Sequence, residues 1–167
     1  MSANVQKLCE SAREKLKPAI EKLETFLNEH SLAQLSADQD EETVLFYQGF
    51  LSDLRHLLVF SEVSYEKLGT VLRRANFDVD FAEKALYHLY HQSVNSFFYP
   101  RNECYSEDGR YAYTGQDAIR FRVKPVRSAR DIIMEITKTY EELRDDLNYY
   151  ESDYLTQRRM QNQRNHA

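Results

Sequence analysis

The chain has 167 residues, a net charge of −5, two cysteines, four glycines and no tryptophan. That length suits one domain able to bury about 70% of its unfolded surface without disulfide or metal staples. The acidic balance argues against whole-surface binding to nucleic acid, and Cys9 and Cys104 lack any ligand spacing for structural zinc.

Val5, Leu8, Ala12, Leu16, Ile20, Leu23 and Leu27 recur at helical spacing, which predicts a first helix with a kink or a fresh start at Pro18. Residues 30–40 read as a polar connection, its Asp38 to Glu42 charge run marking the next helix N-terminus. From Glu42 to Phe60 the apolar stripe is broad enough for burial on more than one side, which predicts the central helix, packed against the C-terminal rod. A third helix is expected over Ser64 to Ala75, and a fourth opened by an Asp80/Glu83 capping box and closed by Pro100.

Between about 104 and 123 the pattern changes to strands. Asp108-Gly109 carries the type I′ hairpin signal, and Ile119, Phe121 and Val123 alternate with Arg120, Arg122 and Lys124. Strands this short need the helices beneath their apolar side, leaving the arginine side outward or against an acidic surface. From Ser128 to about Tyr154, Ile133, Ile136, Tyr140, Leu143, Leu147, Tyr150 and Tyr154 follow at alternating spacings of 3 and 4. That predicts one rod on the order of 40 Å long, started by Ser128 and Asp131, on which the other helices pack. The expected class is mainly α: a four- to five-helix bundle with a long C-terminal helix and a small antiparallel β insertion. Residues 1–156 form a single domain in this reading, and 157–167 a frayed basic tail.

The strongest functional lead is the cationic run Arg120, Arg122, Lys124, Arg127 and Arg130, free of intervening acids. With Tyr105, Tyr111 and Tyr113 as stacking platforms it suits a phosphate or carboxylate ligand. Against this stand Glu141, Glu142, Asp145, Asp146, Glu151 and Asp153, which supply intramolecular partners for the same charges. His88 and His91 lie three apart on the fourth helix but lack an evident third ligand, so no metal and no cofactor is implied. Nucleophile elbows, phosphate loops and dinucleotide fingerprints do not occur. Arg159 and His166 resemble in spacing the arginine and histidine pair of the HEPN ribonucleases, yet both fall in the tail. No catalytic residue is assigned, and the reading leans away from an enzyme.

Phe50-Leu-Ser-Asp-Leu-Arg-His-Leu-Leu58, Ala82-Glu-Lys-Ala-Leu-Tyr-His-Leu-Tyr-His-Gln92 running into Phe97-Phe98-Tyr-Pro100, Tyr111-Ala-Tyr-Thr-Gly115, Ala118-Ile-Arg-Phe121 and Leu147-Asn-Tyr-Tyr-Glu-Ser-Asp-Tyr154 resemble the YpuI family of small proteins from Bacillus and relatives. The likeness extends over most of the chain and implies a cytoplasmic bacterial protein, with no accepted catalytic residues to carry over. Two functions remain open. One is a non-catalytic interaction or regulatory module with a protein partner or a second copy, self-associating through the Tyr140 to Tyr154 stripe. The other is a binder or enzyme acting on a phosphorylated or nucleic-acid ligand at the arginine face; the acidic net charge weighs against nucleic acid, and the lack of a long apolar run against a membrane.

Overall fold

A computed structural model describes residues 2–37, 39–108 and 118–166. The chain is mainly helical: α1 (Ser2–Glu29), a short α2 (Leu32–Leu35), α3 (Glu41–Arg73) and α4 (Val79–His88), which runs through a π turn (Leu89–Val94) into α5 (Asn95–Phe98). Strands β1 (Tyr105–Glu107) and β2 (Ile119–Phe121) follow, then α6 (Arg127–Asp146), a 3-10 turn (Asn148–Tyr150) and α7 (Asp153–Asn165). One buried apolar cluster draws on all the long helices, and both strands lie against it.

The middle of that cluster is shared by α3, which meets α1, α2, α4, the π turn and α5, and α1, where Cys9, Ala12, Leu16, Ala19, Leu23 and Phe26 are buried at helical spacing. Helix α1 packs against α3, α4 and α6, and its two buried alanines, Ala12 and Ala19, permit close approach. The C-terminal segment is therefore not the element on which the others are assembled. Pro18 does not interrupt α1. Pro18 and Glu14, whose carbonyl loses its helical donor, are both exposed, so water replaces the missing bond.

Two helix junctions differ from the sequence reading. The expected break near Phe60 is absent, and α3 is one helix of 33 residues. Ser61 does not interrupt it, because its buried hydroxyl is bonded to the Tyr140 hydroxyl at 2.7 Å. Conversely, the predicted rod ends at Asp146 and the chain turns through Asn148–Tyr150 before α7. Leu147, Tyr150 and Tyr154 remain buried across the break, since a 3-10 turn still returns every third side chain to one side. That row is covered within one subunit. Residues 157–165 continue α7 as an exposed helix, with Arg158 reaching Asp80 at 3.0 Å.

Caps are displaced too. Helix α6 starts at Arg127 without a side-chain cap, and the Val126 amide donates to the Tyr47 hydroxyl at 2.7 Å. Asp40 caps α3 through the Thr43 amide, and these hydrogen bonds hold its carboxyl below the usual range. Helix α4 is capped by Asp78, two residues before the expected Asp80, through the Phe81 amide at 3.2 Å. Asp78→Ala is expected to cost about 1 kcal/mol in urea unfolding. Asp80→Ala should cost less, because it removes only an exposed ion pair.

Candidate functional site

The insertion is held to the bundle by a polar clasp. Asp53, buried in α3, accepts from the Asn102 amide at 3.2 Å and from Asn102 Nδ2 at 2.7 Å. Asn102 Nδ2 also donates to the Gly49 carbonyl at 3.3 Å. A Cβ on Gly49 would come within 2.9 Å of Asn102 Cβ, so a bare backbone is required where the loop crosses α3. Glu103 turns the chain in the left-handed region at φ 51°, a conformation costing about 1–2 kcal/mol that the clasp offsets. The Tyr105 hydroxyl then donates to the Phe97 carbonyl at 2.6 Å.

Strand β1 pairs antiparallel with β2, Tyr105 opposite Phe121 and Ser106 opposite Arg120. The partner of 105–107 is thus 119–121, and the expected Asp108-Gly109 turn lies largely outside the described residues. The predicted alternation is present, with Ile119 buried, Phe121 and Val123 half-buried, and Arg120, Arg122 and Lys124 exposed. Arg120 and Arg122 border an open cleft of about 590 Å³, with Phe98, Tyr99, Tyr105 and Phe121 among the residues lining it. Arg122 donates one N–H to the Asn102 carbonyl at 3.2 Å, which fixes its guanidinium to the clasp. Lys124 lies beyond the strand, and Arg127 pairs with Asp131 at 3.7 Å on the solvent side of α6. Arg130 is exposed in the first turn of α6, while Tyr111 and Tyr113 fall outside the described residues. The cleft therefore gathers two of the five cations.

A second cleft, about 460 Å³, shares Phe98 and Tyr99 with the first and is lined also by Tyr90, His91, Asn95, Arg144 and Glu151. Here the π turn faces the break after α6. Distant segments thus meet, with no local pattern to announce it. Burial and the nearby Glu151 carboxylate raise the Tyr90 hydroxyl above its ordinary range. Arg144 lies over the Phe98 ring at 3.9 Å and grips Glu107 with both Nη groups at 2.9 and 3.2 Å. Burial opposes its charge, but the Glu107 carboxylate outweighs that and holds it protonated. His91 Nε2 lies 2.9 Å from the Tyr150 carbonyl. Burial, then Lys67 and His91, lower the His88 imidazole. Among the described residues no group of three His, Cys, Asp or Glu side chains could hold a metal ion. Burial pushes the Cys9 and Cys104 thiols up to about 12, so neither is a thiolate at neutral pH. Arg159 and His166 are exposed on and just after α7.

Sequence reasoning missed Asp53, Asn102, Tyr99 and Glu103. The one local signal was Gly49, a glycine inside an apolar helix, which marks a close backbone approach.

Fold and site together define a helical protein with a clasped two-stranded appendage, its cationic strand bordering an aromatic cleft. No helix of the described residues is long and apolar enough to cross a membrane. The chain belongs to the family described as "Protein of unknown function (DUF3907)", which it matches over residues 9–156. It is 32% identical over 127 residues to "Uncharacterized protein YpuI" of Bacillus subtilis (strain 168), an alignment covering 76% of this chain and 70% of that protein. The YpuI-like character read from the sequence is thus established. No solved structure matches.

Proposed function

We propose that the protein is a non-catalytic interaction module of the cytoplasm whose cationic strand receives an acidic segment of a protein partner. The observation that carries this reading is the pair Arg120 and Arg122 at the rim of the 590 Å³ cleft, beside Tyr99 and Phe121. Arginine forks with adjacent ring faces suit carboxylates on an extended chain, and Arg122 commits one of its five donors to the clasp.

The test is fluorescence anisotropy of a labelled oligoglutamate peptide at low and at physiological ionic strength. Binding should weaken with salt, and the doubly substituted Arg120→Gln/Arg122→Gln protein should lose about tenfold or more in affinity, roughly 1.4 kcal/mol. Absence of binding at low salt overturns the proposal. The exposed Tyr99 ring next to these arginines favours a second reading, a phosphorylated or nucleotide ligand stacked in the cleft. Displacement of the peptide by AMP, or binding of AMP alone, decides for it.

A further inference from the structure

A second arginine pair lies on elements that contribute nothing to the clefts described above. Gly69 is buried in the body of α3, where glycine is destabilising relative to alanine. A Cβ at this position would lie 3.1 Å from Arg13 Nε, 3.1 Å from Arg73 Nη1 and 3.3 Å from Arg13 Nη2. The missing methyl thus lets guanidinium groups from α1 and α3 converge on one patch of backbone, those two nitrogens no more than about 6 Å apart. Arg13 is held there by the ring of Tyr65, 4.0 Å beneath its guanidinium carbon. Its Nε–H is sealed from solvent and has no acceptor. Among the described residues neither Arg13 nor Arg73 has a carboxylate at ion-pairing distance.

Like charges repel at this separation, so an arrangement that holds both arginines without a carboxylate partner calls for a third, negative group. Guanidinium forks match the oxygen spacing of phosphate, and a small dianion between them satisfies both charges at once. We propose that Arg13 and Arg73, brought together over Gly69, form a binding site for a phosphate-type oxyanion. In this site Tyr65 positions Arg13, Arg73 supplies the solvent-facing fork, and Gly69 is the gap that admits both.

The test uses inorganic phosphate and phosphoserine as probes, titrated at constant low ionic strength against chloride. The thermal midpoint should rise and saturate with either probe, and the Arg13 Nε–H resonance in 15N NMR should move along the same titration. Arg73→Gln, in the exposed last turn of α3, should weaken the response about tenfold or more. Gly69→Ala should weaken it as well, whereas Arg120→Gln/Arg122→Gln should retain it in full. General salting-out stabilisation would raise the native and Arg73→Gln proteins alike. That outcome, or no response to either probe, overturns the assignment.

Discussion

Tyr140→Ala is expected to destabilise the protein by about 3–5 kcal/mol, the cost of emptying a large and fully packed aromatic site. Tyr140 is wholly buried, its ring stacked on Phe97 with centroids 4.9 Å apart, and its hydroxyl is 2.7 Å from Ser61 Oγ. Three segments distant in sequence therefore lose their common contact at once. Tyr140→Phe keeps the ring and isolates the polar contribution: about 1–3 kcal/mol, because the buried Ser61 hydroxyl is left without its partner. Urea unfolding of both variants, compared at constant m value, checks the two numbers.

The same site sets an alkaline limit. Burial raises the Tyr140 hydroxyl, and burial with the nearby Asp53 charge raises Tyr105. An unfolded tyrosine releases its proton near pH 10, while these hold theirs to higher pH. The unfolded chain therefore gains stability from pH ~10 upward. Folded stability is fully present below that value and falls as pH rises toward the folded-state values. The native protein should unfold at lower urea concentration at pH ~10.5 than at pH ~8, and Tyr140→Phe should show a smaller loss.

Asp53→Ala is expected to cost about 2–3 kcal/mol and to loosen the whole insertion, since it removes the acceptor shared by the Asn102 amide and side chain. Its second effect is functional. Arg122 is positioned by the Asn102 carbonyl, so freeing Asn102 should weaken oligoglutamate binding, by less than the Arg120→Gln/Arg122→Gln protein loses, even where the bundle stays folded. Hydrogen exchange should show lost protection confined to 99–106 and 119–122, with α1 and α6 unchanged. Uniform loss of protection would mean that the clasp supports the core rather than the cleft.

The helices of this protein were legible because each buries one face, and burial at one face writes a period into the sequence. Ala12, Leu16, Leu23 on α1 and Ile133, Ile136, Tyr140, Leu143 on α6 were read correctly, as was the alternation at Ile119 to Lys124. Where helices end was less legible. The stripe read as ending at Phe60 continues through Ser61, a buried hydrogen-bonding partner, whereas Leu147 to Tyr150 kept the helical spacing while the backbone left the helix. Periodicity records which side of the chain meets the core; it is silent on whether a polar residue finds a buried partner or a tight turn preserves the side.

By itself, then, the order of residues determined the mainly helical class, the strand alternation of the appendage and the kinship with the YpuI-like family. Only the tertiary structure decided that α1 and α3 rather than the tyrosine-rich segment form the centre, and that Arg120 and Arg122 are the members of their run that border the aromatic cleft. It also brought Arg13 and Arg73 together over Gly69 from positions 60 residues apart. The reason is physical: local spacing constrains the face a residue presents, but the neighbour across that face is chosen by packing between segments that share no sequence signal.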